Sequence, residues 1–79
     1  MSTVTLYARP GCHLCDDARA ALERVREQTS FELVEIDIES DDALHRAYLE
    51  RIPVVEVDGE DLFEHFVDEA MLAARIRRD

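Results

Sequence analysis

The sequence predicts a small α/β protein whose strands and helices follow one another in the order β-α-β-α-β-β-α. Three observations support this prediction. Short runs rich in Val, Ile and Leu alternate with segments of helical period, Asp58-Gly59 is a strong hairpin signal, and 79 residues suffice for one domain, residues 1–79. The first βαβ unit should be parallel and right-handed. The hairpin should add two antiparallel strands to the same sheet, and helices should cover both of its faces.

A turn separates the first strand from the first helix. Thr3–Ala8 is β-branched and aromatic, which predicts a strand, and Arg9-Pro10-Gly11 breaks it. A helix is expected from Cys12 to about Gln28, because its apolar residues form one stripe. That stripe consists of Leu14, Ala18, Ala21, Leu22 and Val25.

The middle of the chain predicts a second strand and a short helix. Phe31–Ile38 alternates apolar and charged residues, and the acid-rich stretch 35–42 is expected to be a solvated edge. Ser40 is a candidate N-cap for a helix near 41–50, and Pro53 ends that helix. Its expected buried side is Leu44, Ala47 and Tyr48.

The last third predicts a hairpin and a terminal helix. Val54–Val57 is the third strand and Asp61–Phe63 a short fourth strand, joined at Asp58-Gly59. Val67–Arg78 is the last helix. Its expected buried stripe is Val67, Ala70, Met71 and Ala74, and Phe63 and Phe66 are expected in the core.

The chain is strongly acidic. It has nine arginines, no lysine and 19 Asp plus Glu, which gives a net charge of −10. A nucleic-acid binder needs a basic surface, and an anionic membrane repels such a chain, so we expect neither partner. No apolar run approaches the roughly 20 residues of a membrane span. Residues 1–4 have no basic region or long apolar run, so no signal peptide is expected.

Only two cysteines are present, at positions 12 and 15. A small secreted domain held by disulfides would have about four to eight, and a loop this short constrains the unfolded chain little. The pair therefore indicates redox chemistry or metal binding in a reducing compartment, so we expect a cytoplasmic protein.

The segment Cys12-His13-Leu14-Cys15 lies where the first strand ends and the first helix begins. Thiols at i and i+3 lie on one side of a helix, close enough to form a disulfide. Cys12 is at the helix N-terminus, where free N–H groups and the helix dipole stabilise a thiolate. Cys15 is one turn in and should be shielded. We therefore expect Cys12 to attack a disulfide and Cys15 to resolve the mixed disulfide, since Cys-x-x-Cys beside a βαβ unit is typical of thioredoxin-like redox proteins.

The charges around Cys12 act in opposite directions. Asp16 and Asp17 should raise the pKa of a nearby thiol, whereas Arg9, the helix dipole and His13 should lower it, and the sequence leaves this balance open. His13 is expected to face solvent and tune Cys12, with a proton-relay role as the alternative.

Two segments resemble a known family. Residues 7–15 are similar to the active-site segment of glutaredoxins and short glutaredoxin-like proteins, and residues 51–54 resemble the cis-proline segment of the thioredoxin superfamily. The resemblance covers essentially the whole chain. It implies a thioredoxin-like fold, a four-stranded mixed sheet in the order 2-1-3-4 flanked by three helices. It also implies that Arg9 is the basic residue before the nucleophile, that Pro53 is the cis-proline, and that the backbone of Ile52 pairs with a peptide-like substrate.

The chain also departs from that family. His13-Leu14 replaces Pro-Tyr between the cysteines, and Arg51-Ile52 replaces Thr-Val before the proline. The Gly-Gly and Asp turn that helps to hold glutathione is absent, and in residues 64–68 only Asp68 is a candidate substitute. Because glutathione is an anion, it should be repelled unless Arg9 and Arg51 dominate locally. Glutathione as co-substrate, and a protein disulfide with a thioredoxin-like reductant, both stay open.

The sequence thus predicts a monomeric thiol–disulfide oxidoreductase with no tightly bound cofactor, acting on protein or glutathione mixed disulfides. The first alternative is an iron–sulfur or zinc carrier that uses Cys12 and Cys15 across a dimer. One chain offers at most three ligands, with His13 as the third, and tetrahedral zinc needs four, so no metal is expected in one chain. A redox-inert interaction module on the same fold is the second alternative.

Three further side chains are candidates for lesser roles. Tyr7 either flanks the active site or packs on the sheet, and both interpretations stay open. His45 is expected to be a surface histidine on a charged helix. His65 is expected to be a loop histidine, with a contact to the substrate groove as the alternative.

Overall fold

The computed structural model describes residues 1–77 and has the predicted order of elements. The strands are β1 (Thr3–Ala8), β2 (Glu32–Asp37), β3 (Val54–Val57) and β4 (Glu60–Glu64). The helices are α1 (His13–Arg26), α2 (Asp42–Tyr48) and α3 (Glu69–Arg77), and a 3₁₀ turn, Ile38–Ser40, lies between β2 and α2. The expected end of the last helix, Arg78, lies outside the described residues. No helix within residues 1–77 has both the length and the apolar character needed to cross a membrane.

The four strands form one mixed sheet in the order β2-β1-β3-β4, which confirms the expected order. β1 and β2 are parallel, whereas β3 pairs antiparallel with both β1 and β4. The β3–β4 hairpin turns at Asp58 and Gly59, with φ values of 51° and 86°. Two consecutive positive φ angles are what a tight hairpin turn requires, so Asp-Gly suits this turn.

The core lies on one face of β1, and helices contact both faces of the sheet. Val4 and Leu6 are fully buried there, in one apolar cluster with residues of α1 and α3. Tyr7 has the opposite orientation on the strand and stacks on Tyr48 of α2. The other fully buried side chains include Cys15, Leu22, Ile38, Pro53, Val54, Val55, Val57 and Leu72.

Helix α1 confirms four of the five residues of its expected stripe. Ala18, Ala21, Leu22 and Val25 are buried, but Leu14 is 49% exposed. The helix begins at His13 with Cys12 as its N-cap. Leu14 therefore lies in the first turn, at the end of the sheet, where little of the core remains to cover it.

The N-cap of α2 is Asp41, so the expectation of Ser40 was wrong. The Asp41 carboxylate accepts hydrogen bonds from the N–H groups of Ala43 and Leu44, at 2.7 and 3.2 Å. Ser40 instead donates its hydroxyl to the carbonyl of Asp37 at 2.6 Å. Of the expected buried side of α2, Leu44 and Tyr48 are only half-buried and Ala47 is exposed.

The buried face of α3 also differs from the expected one. Leu72 and Ile76 are buried, whereas Ala70, Met71 and Ala74 are exposed. The large branched side chains bury more apolar area than alanines do, and they set the rotation of the helix. Among the aromatic residues, Phe63 packs half-buried against the core, but Phe66 is 73% exposed, contrary to expectation.

Candidate active site

The strand register brings three loops together at one end of the sheet. Tyr7 of β1 lies opposite Val54 of β3, and Val54 lies opposite Glu64 of β4. The turn after β1, the loop before β3 and the turn after β4 therefore share this end. The N–H of His65 donates to the carbonyl of Pro53 at 2.8 Å, which ties the last two together. The cysteine pair follows the first of these loops.

Cys12 and Cys15 form a disulfide, with their Cα atoms 5.2 Å apart. Cys15 is fully buried in the apolar cluster, whereas Cys12 is half-buried. Solvent therefore reaches the pair from the side of Cys12, the asymmetry that the sequence predicts.

Cys12 occupies the N-cap position of α1 because its backbone is extended, with φ −96° and ψ 111°. Gly11 makes the turn that leads into it at φ 77°. The sulfur of Cys12 accepts the N–H of Cys15 at 3.1 Å, and its carbonyl accepts the N–H of Asp16 at 3.1 Å. A backbone donor thus points at this sulfur, and such donors stabilise a negatively charged sulfur.

One of the two carboxylates after Cys15 is paired with a guanidinium. Arg19 donates to Asp16 at 2.8 Å and to both oxygens of Glu35, at 2.8 and 2.6 Å. The hydrogen bonds from Arg19 hold the pKa of Glu35 below its ordinary value, against the effect of burial. This ion pair links α1 to β2, and it compensates the charge of Asp16 beside the cysteines. The side chains of Asp17 and His13 are exposed.

The Ile52–Pro53 peptide bond is cis, and both residues are buried. The N–H of Ile52 donates to the carbonyl of Tyr48 at 3.0 Å. This N–H is therefore already used inside the protein.

Arg51 is held by strand β4. Its Nε donates to Glu64 at 2.7 Å and its Nη2 to Asp61 at 2.9 Å. The guanidinium carbon also lies 5.0 Å from the centre of the Tyr48 ring. Arg9, the other arginine expected to attract a substrate, has its Nη1 4.0 Å from a carboxylate oxygen of Glu39. Both arginines thus have carboxylate neighbours.

Tyr7 packs against α2 on one face of the sheet. Its ring stacks on that of Tyr48, with centroids 4.4 Å apart and an angle of 14° between the planes. Its hydroxyl donates to the carboxylate of Glu56, at 3.1 Å to the nearer oxygen. Burial, followed by the hydrogen bond to Glu56, raises the pKa of Tyr7 to about 12.

The turn after β4 contains two features that the sequence reasoning underestimated. His65 has a left-handed backbone, with φ 71°, and its Nε2 lies 3.1 Å from the carbonyl of Glu50. Phe66 follows it, largely exposed. Nothing in the local pattern distinguishes Phe66 from a core residue, because its exposure depends on the tertiary placement of this turn. Asp68 caps α3 by accepting the N–H of Met71 at 3.0 Å, and His45 is half-buried on α2.

The described residues also limit what one chain offers to a ligand. Between positions 1 and 77, no three His, Cys, Asp or Glu side chains form a group that could hold a metal ion. A groove of about 290 Å³ is lined by residues 8–10 together with Asp16, Arg19, Glu35 and Asp37, and neither cysteine lines it. A cavity of about 400 Å³ lies between the end of α1 and α3, and no cysteine lines it.

Solved structures share this architecture. The solution NMR structure of protein Ne2328 from Nitrosomonas europaea matches with a TM-score of 0.81 at 31% identity, over 95% of this chain and 91% of that one. The X-ray structure of target protein XcR50 from X. campestris matches with a TM-score of 0.77 at 35% identity, over 96% and 97% of the two chains. A mutant thioredoxin from Halobacterium salinarum NRC-1 matches with a TM-score of 0.70 at 27% identity, over 98% of this chain and 73% of that one. The fold is therefore thioredoxin-like.

The sequence itself matches a family description over nearly its whole length. The model of the glutaredoxin-like domain (DUF836) covers residues 3–77, which include the cysteine pair, the cis-proline loop and the turn after β4. The chain belongs to this glutaredoxin-like family of the thioredoxin superfamily.

Proposed function

We propose that the protein is a thiol–disulfide oxidoreductase in which Cys12 is the nucleophile and Cys15 the resolving thiol. The observation that supports this best is the asymmetry of the pair. Cys12 is half-buried at a helix N-cap and its sulfur accepts a backbone N–H, whereas Cys15 is fully buried. An accessible sulfur that accepts a backbone N–H, beside a shielded partner, is the arrangement that disulfide exchange uses.

The proposed reaction begins with both cysteines reduced. The Cys12 thiolate attacks one sulfur of the substrate disulfide, so a new S–S bond forms and the other substrate sulfur leaves as a thiolate that takes up a proton. The Cys15 thiol loses its proton and attacks the sulfur of Cys12, which releases the second substrate thiol. Two electrons have passed to the substrate, and the Cys12–Cys15 disulfide remains. An external thiol, of the glutathione or thioredoxin type, restores the dithiol.

The loops around the pair suggest how a disulfide would be positioned. The carbonyl of Ile52, before the cis-proline, can accept an N–H from an extended substrate, while Pro53 closes the loop against the turn after β4. Arg9 lies in the turn before Cys12, beside the groove of about 290 Å³. We assign the substrate-binding role to these residues. A reducing, cytoplasmic setting suits a protein that must return to its dithiol form.

Substitution of each cysteine by serine tests this proposal. We expect Cys12→Ser to abolish reduction of a peptide disulfide, because the attacking sulfur is lost. We expect Cys15→Ser to perform the first step only and to accumulate a mixed disulfide with the substrate. Mass spectrometry of the protein after non-reducing quenching measures both outcomes, and the two variants serve as controls for each other.

Two results would contradict the proposal. The first is unchanged reduction by Cys12→Ser. The second is isolation, under anaerobic conditions, of a dimer with an iron–sulfur cluster or zinc bound by Cys12 and Cys15, whose removal leaves no reductase activity.

A further inference from the structure

The cis-proline side of the site holds an arginine whose charge is cancelled by its neighbours, and this bears on which disulfides can approach. We propose that Asp61 and Glu64 make the site select disulfides on cationic protein segments over glutathione, an inference that rests on the proposed function. They do so by neutralising Arg51, which directly precedes Ile52-Pro53.

The geometry of this ion-pair cluster leaves Arg51 little freedom. The Nε of Arg51 donates to Glu64 at 2.7 Å, and its Nη2 donates to Asp61 at 2.9 Å. The guanidinium carbon lies 5.0 Å from the centre of the Tyr48 ring. These two carboxylates use two of the five N–H donors of Arg51, and their negative charges offset the attraction of the guanidinium for an approaching anion. The anionic end of a small substrate is therefore attracted less strongly than it would be by an unpaired arginine.

Two arginines near the cysteine turn also have carboxylate partners. Arg9 lies near Glu39, and Arg19 bonds to both Asp16 and Glu35. Together with Arg51 and its two partners, three guanidinium groups face five carboxylates. The group has a net charge of −2 at neutral pH, and exposed Asp17 adds to it.

A negative field around the reactive sulfur acts mainly on the rate of encounter. It slows the approach of an anion such as glutathione and speeds that of a segment with Arg or Lys beside its cysteine. The apolar surface here also suits a protein segment, since Leu14 is 49% exposed and Phe66 is 73% exposed. The inferred substrate is an extended chain with cationic and apolar side chains near its disulfide.

Two peptides that differ only in charge test this inference. Each is a short peptide dimerised through one disulfide, with Arg on both sides of the cysteine in one and Glu in the other; glutathione disulfide is the third substrate. With dithiothreitol as the regenerating dithiol, kcat/KM is measured at about 10 mM and about 150 mM ionic strength, where the Debye length falls from about 30 to about 8 Å.

Two variants isolate the role of Arg51. Glu64→Gln removes one of its carboxylate partners, whereas Glu69→Gln makes the same change in an ion pair with Arg24. Arg24 lies 12 residues after Cys12, about 18 Å along the helix at 1.5 Å per residue. The two variants change the net charge equally, so a difference between their kcat/KM values must come from the position of the lost charge.

We expect the wild type to favour the Arg peptide over the Glu peptide by about tenfold at low salt, with a smaller ratio at high salt. Glu64→Gln should raise kcat/KM for glutathione disulfide by about threefold to tenfold and lower the preference for Arg, whereas Glu69→Gln should match the wild type. Equal rates for the two peptides at low salt, or identical behaviour of the two variants, would overturn the inference. Failure to reduce any of the three disulfides would instead refute the proposed function.

Discussion

Cys12 and Cys15 are one helical turn apart, and their surroundings still differ sharply. A helix N-cap is usually occupied by an oxygen side chain, which stabilises the helix by about 1 kcal/mol. Here a sulfur takes that place and accepts the N–H of Cys15. An oxygen side chain at this position would stabilise the helix more strongly, but it could not attack a disulfide as a sulfur can.

The role of a residue can be predicted from the sequence when that role depends on its neighbours along the chain. The shielding of Cys15 follows from its place one turn into an amphipathic helix. The pairing of Arg51 could not be predicted, because Arg51 lies in the loop before β3 and its partners lie 10 and 13 residues further along the chain, on β4. Only the β3–β4 register brings them into reach.

Tyr7 provides a prediction at the scale of single residues. Burial and Glu56 raise its pKa from 10.0 to about 12, so the folded protein keeps the phenol protonated where the unfolded chain has lost the proton. The contribution of Tyr7 to stability is fully present below pH 10 and is lost as the pH rises from 10 to about 12. Absorbance titration near 295 nm should show a late-titrating phenol.

The variant Tyr7→Phe checks this assignment, because it removes the hydroxyl and retains a ring to stack on Tyr48. The late step should vanish, and the fall in stability above pH 10 should become shallower. If the late step persists in Tyr7→Phe, another group is responsible and the assignment is wrong.

Helix α3 is an element whose buried face differs from the one that the sequence predicts. Its sequence is apolar at many consecutive positions, so several stripes satisfy a helical period. The structure places Leu72 and Ile76 inside and Met71 outside. The sheet and α1 decide this rotation, because they offer space for the branched side chains.

Truncation of two adjacent residues tests the orientation of α3. Leu72→Ala should lower the free energy of unfolding by about 2–5 kcal/mol, since it empties a fully buried site. Met71→Ala should change it by less than about 0.5 kcal/mol, since that side chain is 56% exposed. Urea denaturation of the two variants measures the difference, and equal losses would mean that the helix is rotated.

The N-cap of α2 is another feature that the sequence predicted wrongly. Ser40 and Asp41 are both good N-cap residues, and the local sequence does not choose between them. The 3₁₀ turn Ile38–Ser40 uses Ser40 for its own hydrogen bond. Asp41 has the extended backbone that an N-cap needs, with φ −152° and ψ 127°, so it caps the helix.

At the scale of the whole molecule, the excess of negative charge should oppose folding at low salt. The molecule measures 34 × 22 × 16 Å, and at about 10 mM salt the Debye length is about 30 Å. Most of its carboxylates therefore repel one another across the structure, and the net charge is −10.

We therefore expect the melting temperature to rise between about 10 and 150 mM NaCl, where the Debye length falls to about 8 Å. Differential scanning calorimetry measures this shift, and sodium sulfate at matched ionic strength separates screening from ion-specific effects. A melting temperature that falls with NaCl would show that the surface ion pairs, such as Arg19–Glu35, outweigh the general repulsion.

The order of the elements and the position of the cysteine pair at a helix start could both be predicted from the order of the residues. Both follow from local rules, since hydrophobic period distinguishes strands from helices and an i, i+3 spacing puts two thiols on one side of a turn. The tertiary structure alone decided that Asp61 and Glu64 bind Arg51 and that Phe66 is exposed. These features depend on which strands pair and in what register, a choice made by burial across the whole sheet.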